Sequence, residues 1–153
     1  MHFQLGSACG WSDSFAASIV LVHGLGGHQE TTWTAEDGFL WARDLLSLSI
    51  PNLRVFAYGY ASTPQSTCNR TTVHSIAVDL LGLLTDDRDI PRFKYRPLIF
   101  AGHNLGGNII KEALVTEKGR AGGEYRDIYY STCGVVSGAG GGHPVLPETN
   151  LIL

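Results

Sequence analysis

Residues 98–107 read Leu98-Ile99-Phe100-Ala101-Gly102-His103-Asn104-Leu105-Gly106-Gly107, or LIFAGHNLGG. Four apolar residues, launched by Pro97, suit a strand buried on both faces. A glycine turn follows, and then Leu105, Ile109, Ile110, Ala113 and Leu114 recur at helical spacing. Lys118-Gly119 is a suitable helix stop. A strand that passes through one tight turn straight into a helix is the building unit of a parallel α/β sheet.

The same unit recurs upstream and downstream. Ile19-Val20-Leu21-Val22 is β-branched and apolar, and runs into His23-Gly24-Leu25-Gly26-Gly27. Val55 to Tyr58 gives a further strand and Cys133 to Val136 a fourth. Between them, Leu40, Trp41, Asp44, Leu45 and Leu48 predict a short helix ended by Pro51. Val73, Ile76, Ala77, Leu80, Leu81 and Leu84 follow i, i+3, i+4, i+7 spacing and predict an amphipathic helix. The expected fold is therefore α/β, a parallel sheet of about four strands with helices on both faces. Residues 1–17 form an irregular lead-in and 18–136 the folded domain. From Ser137 the chain reads SGAGGGHPVLPETNLIL, rich in glycine and proline with little to bury, which predicts a largely unstructured tail over 137–153.

Composition narrows the function classes. A net charge of -3, with Lys and Arg scattered, lacks the concentrated basic face a nucleic-acid binder needs. Cys9, Cys68 and Cys133 form no C-x-x-C pair, so neither a zinc site nor a disulfide framework is expected, and reduced thiols fit a cytoplasmic chain. No secretory leader or transmembrane segment is legible. The glycines of 24–27 do not complete G-x-G-x-x-G and no G-K-[ST] occurs, so no nucleotide cofactor is implied. The histidines show no metal-ligand spacing.

The chemistry lies in the two turns. Gly102-His103-Asn104-Leu105-Gly106 has the G-x-S-x-G spacing of a nucleophile elbow, with Asn104 where a serine belongs. Glycines flank that position because strand and helix backbones approach too closely for side chains. In such a site the oxyanion is held by the N–H after the nucleophile, here Leu105, and by one from the earlier turn, here Leu25. His23 and His103 support their turns, while His23, Gly24, Gly26, Gly27, His103 and Gly106 shape the binding crevice. Trp33 and Trp41 belong to a cleft wall or to the core.

These stretches resemble the α/β-hydrolase superfamily, in particular the lipase-like serine esterases of fungi, relatives of the GPI inositol-deacylases. The matching residues are Ile19–Gly27 (IVLVHGLGG), Thr32–Thr34, Phe39–Leu46 (FLWARDLL), Tyr58–Tyr60, Arg96–Gly107 (RPLIFAGHNLGG), Ile109–Leu114 and Tyr125–Val136. The resemblance implies a partial α/β-hydrolase fold over 18–136, carboxylic-ester chemistry, and a lipid or acyl-ester ligand without a cofactor. Some relatives associate with the endoplasmic reticulum or mitochondria.

Two departures change the expectation. An Asn carboxamide offers no oxygen nucleophile, so the acyl-enzyme route is closed at Asn104. The resemblance also places the acid and histidine on later strands. After Asn104 the only histidine is His143 and the acids are Glu112, Glu117, Glu124, Asp127 and Glu148, none suitably placed. From Ser137 the resemblance is lost abruptly, as a misread exon, a shifted frame or a truncated relative would give. The expectation is an esterase-derived chain without activity. The alternatives are a ligand-binding or signalling module and an incomplete gene product that self-associates through an uncovered sheet edge.

Overall fold

The apolar runs form four strands: β1 (Ser18–Val22), β2 (Arg54–Tyr58), β3 (Leu98–His103) and β4 (Thr132–Gly138). In the computed structural model, which describes residues 17–50, 52–63, 70–90, 93–118 and 123–138, they pair into one sheet of order β2-β1-β3-β4. Every pairing is parallel, with Val22 opposite Tyr58 on one side and Gly102 on the other. The expected lead-in and tail fall outside the described residues, apart from Ala17, Ser137 and Gly138.

Among the described residues five α-helices connect and cover the strands: α1 (Trp41–Asp44), α2 (Leu46–Ser49), α3 (Arg70–Arg88), α4 (Leu105–Lys118) and α5 (Arg126–Ser131). Because side chains alternate along a strand, the sheet has two cores. Val20, Val22, Phe56, Tyr58, Leu98 and Phe100 face Ile76, Ala77, Leu80, Leu81 and Leu84 of α3, Ile109, Ile110 and Ala113 of α4, and Ile128 of α5. Ile19, Leu21 and Val55 face the other way, onto Trp33 and Ala42, with Trp41, Leu46 and Ile50 packed around them. Helices therefore lie on both faces, and β1 is buried along its whole length.

Three details differ from the sequence reading. The helix expected over Leu40–Leu48 is two four-residue helices, Trp41–Asp44 and Leu46–Ser49, parted at Leu45. The six-residue α5 was not expected, because Ile128 is its single buried side chain and so short a segment shows no period. Strand β4 runs through Ser137 and Gly138, two residues into the expected tail, because its pairing with β3 continues to His103.

Candidate functional site

The connections around β1 and β3 decide where a ligand can sit. The chain leaves β1 toward α1 and α2, which pack on one face of the sheet, whereas it leaves β3 directly into α4 on the opposite face. β1 and β3 are neighbours, so their carboxyl ends diverge to opposite faces and open a crevice between them. Both glycine turns stand at that switch point.

Asn104 occupies the turn between β3 and α4 with φ 50°, in the left-handed region, and its side chain is exposed. Its N–H donates to the Gly138 carbonyl at 2.9 Å, and its own carbonyl accepts from the Gly107 N–H at 3.1 Å. The first bond latches the elbow to the end of β4. Close approach explains the flanking glycines. A Cβ at Gly106 would lie 2.0 Å from the Val22 carbonyl oxygen, and one at Gly102 would lie 2.6 Å from the Gly107 nitrogen. Helix α4 is thus pressed backbone-to-backbone against β1, and no side chain fits between them. A Cβ at Gly24 would lie 2.8 Å from Asn104 Cβ and 2.8 Å from the His103 carbonyl oxygen, so the first turn is seated directly on the elbow.

The first turn is fixed by contacts its own sequence does not reveal. The Gly26 N–H donates to the Ser62 carbonyl at 2.8 Å, and the Ser62 hydroxyl donates to the Gly27 carbonyl at 3.0 Å. His23 is 1 % exposed. Its Nδ1 lies 3.0 Å from the Gly24 carbonyl and its Nε2 lies 3.4 Å from the Tyr60 N–H. A carbonyl requires a donor and an N–H requires an acceptor, so this pairing selects the neutral ring protonated on Nδ1. Burial lowers the His23 pKa, opposed by the bond to Gly24, with like charge on His28 and His103 adding to the fall. The Tyr60 ring stacks on His23 with centroids 4.3 Å apart, and its hydroxyl donates to the His23 carbonyl at 2.8 Å. Burial pushes the Tyr60 phenol up to about 12, so it remains a donor at neutral pH. His23 is a post for the turn, and Tyr60 and Ser62 are partners that the sequence reading missed, since they lie some 35 residues or more away.

The remaining candidates separate. Among the described residues the N–H groups of Leu25 and Leu105 have no backbone partner, and Leu105 opens α4. His103 is half-buried, and its Nδ1 is buried without a partner. Of the described acids after Asn104, Glu112 lies 3.1 Å from His74 Nδ1, Asp127 lies 3.2 Å from Lys94 Nζ, and Glu124 is an exposed turn residue before α5. The side chain of Glu117, and all of His143 and Glu148, lie outside the described residues. No cluster of three or more His, Cys, Asp or Glu among the described residues could hold a metal ion. No described helix is long and apolar enough to cross a membrane.

Behind the elbow, on the sheet face opposite α3 and α4, an apolar cavity of about 190 Å³ is lined by Ile19, Trp33, Trp41, Leu46, Ile99 and Val136. Ala101, Gly102, His103 and Gly138 complete its wall. Trp33 and Trp41 meet edge-on at 6.3 Å, and Trp33 meets the His103 ring at the same distance. The two tryptophans are therefore both core and cavity wall. No protein-family model matches the chain, and no curated protein matches it.

Proposed function

We propose that the chain derives from a serine esterase or lipase of the α/β-hydrolase type and binds an acyl ester or lipid without hydrolysing it. The observation that carries this reading is Asn104 at φ 50°, on a strand-to-helix turn too tight for side chains at Gly102 and Gly106. A serine there would project into the crevice as a nucleophile; a carboxamide in the same pose has no oxygen to deliver. Asn is one of the few residues that adopts the left-handed conformation at modest cost, so the elbow keeps its shape after losing its chemistry.

What the site retains is the means to hold an oxygen. The Leu105 N–H opens α4 at the positive end of a 14-residue helix, and the Leu25 N–H belongs to the turn seated on the elbow. In this reading both donate to the carbonyl oxygen of a bound ester, with His23, Gly24, Gly26, Gly27, His103 and Gly106 shaping the crevice. No histidine occurs among the described residues that follow Asn104, and of their acids Glu112 and Asp127 are paired with His74 and Lys94. The reading also includes a cytoplasmic setting and self-association through the sheet edge.

Turnover of p-nitrophenyl butyrate tests the reading. The chain and its Asn104→Ser variant should both remain at the uncatalysed rate, since restoring the hydroxyl alone restores no base. Activity gained by Asn104→Ser would show that a working base faces the elbow.

A further inference from the structure

We infer that the free edge of β2 takes up an extended, basic peptide of another protein as an added strand, with one large apolar side chain seated against α3. The inference is independent of the chemistry at Asn104. β2 is the outermost strand on its side of the described sheet. The Arg54 N–H donates to the Ala17 carbonyl on the β1 side, so the alternate residues Val55, Ala57 and, just past the strand, Gly59 aim their backbone groups away from the sheet. Val55 is buried, whereas Ala57 is half-buried and Gly59 exposed. The open part of the edge is therefore Ala57 to Gly59, and its outward N–H and C=O groups have no partner among the described residues. Cavities flank this edge on both faces of the sheet and differ in size. On the α3 side one of about 150 Å³ lies among Phe56, Tyr58, Leu80, Leu83 and Leu84. On the α1 side one of about 20 Å³ lies among Leu21, Leu40, Ala42 and Val55. Ala57 and Gln29 belong to both walls. Successive side chains of a strand point to opposite faces, so a strand added here sends neighbouring residues into the two cavities. The larger matches the roughly 150 Å³ that admits a benzene ring and suits Phe or Leu, while the smaller has room for little more than a methyl group.

Charge selects the occupant. Asp79 and Asp86 stand four residues before and three after Leu83 on α3, so they flank it on the same exposed face. Burial, and after it the charge of Asp79, pushes the Tyr58 phenol up, which sets that carboxylate by the open end of the edge. Glu30 lines the smaller cavity. None of these three acids forms an ion pair among the described residues, while the neighbouring cations Arg54 and Arg43 are held by Asp87 and Asp44. The groove is thus an apolar floor with a negative rim, which complements a strand carrying Lys or Arg on either side of its apolar residue. Residues 1–16, residues 139–153 and the β4 edge of a second copy contain no Lys or Arg and do not supply that complement.

Fluorescence anisotropy of a fluorescein-labelled, amidated Lys-Ala-Phe-Ala-Lys peptide, titrated with the full chain at low salt, tests the inference. Saturable binding is expected, weakened about thirtyfold when Ala replaces the peptide's Phe. Glu in place of both Lys should weaken it about tenfold, and added salt should shrink that difference. Leu83→Lys, at an exposed residue of the groove, should weaken binding about tenfold. Ala57→Pro, which removes an outward N–H that no neighbouring strand uses, should do the same, and Leu83→Lys decides the matter where Ala57→Pro fails to fold. No saturable binding by the full chain, or binding indifferent both to the peptide's Phe and to Leu83→Lys, overturns the inference. A weight-average mass in sedimentation that falls from dimer to monomer as peptide is added also overturns it, since a second copy is then the occupant of the edge.

Discussion

Asn104 and Gly106 stand two residues apart and are constrained by different physics. Asn104 is held at positive φ by the turn, a conformation that costs most L-residues about 1–2 kcal/mol and asparagine less. Replacing it with alanine should therefore lower stability by about 1 kcal/mol in urea unfolding, and Asn104→Gly should be neutral or better. Gly106 is limited by contact, since its Cβ would meet the Val22 carbonyl at 2.0 Å and neither backbone can yield cheaply. Gly106→Ala should cost about 3 kcal/mol. If Gly106→Ala unfolds no more readily than the unaltered chain, the close packing of α4 on β1 is wrong. The spacing of Gly102, Asn104 and Gly106 made this turn legible before any coordinates, because tight turns constrain residue type locally. Nothing local announced Tyr60 or Ser62, whose roles come from contacts distant in sequence.

At the scale of elements, the turn after β1 is braced by the His23–Tyr60 stack and so inherits a pH dependence. His23 is neutral in the fold, with one ring nitrogen donating and the other accepting, and its folded pKa lies below the ordinary value of 6.5. A lowered folded pKa means the unfolded chain binds the proton more readily. The stabilisation is thus complete above about pH 6.5 and is lost as pH falls through the lowered value. Between pH 7 and 5 the unfolding free energy should drop with a slope of up to about 1.4 kcal/mol per pH unit from this group, and His23→Gln should remove that part of the slope. An unchanged slope in the variant would contradict the neutral-ring assignment. A second brace joins β2 to α3. The guanidinium of Arg54, 8 % exposed, donates a hydrogen bond to Asp87 Oδ1 at 2.8 Å, holds its other terminal nitrogen in ion-pair contact with Oδ2, and lies over the rings of Phe56 and Phe93. Asp87→Ala leaves that cation buried and should cost about 3 kcal/mol. Strong periodicity made α3 and α4 readable, and apolar runs made the strands readable. The six residues of α5 and the end of β4 were not, because pairing and tertiary contact set them rather than pattern.

On the scale of the whole molecule, the described sheet ends in β2 and β4, and β4 (TCGVVSG) carries no charged residue or proline of the kind that protects exposed edges. The proposed self-association predicts that the weight-average mass in sedimentation velocity rises over a tenfold concentration range; a constant monomer mass would contradict it. The parallel order, the two cores and the switch-point crevice follow from alternating apolar runs and helices, which is why the architecture was legible in the sequence as a whole. The cavity was not, because its wall gathers Ile19, Trp33, Leu46, Ile99 and Val136 from five separate segments. The central claim is that an esterase-type crevice survives around an elbow that has no nucleophile. Its most direct test is hydrolysis of a p-nitrophenyl ester by the purified chain and its Asn104→Ala variant. The expected result is no turnover above the uncatalysed rate for either; saturable turnover that persists in Asn104→Ala would contradict the claim.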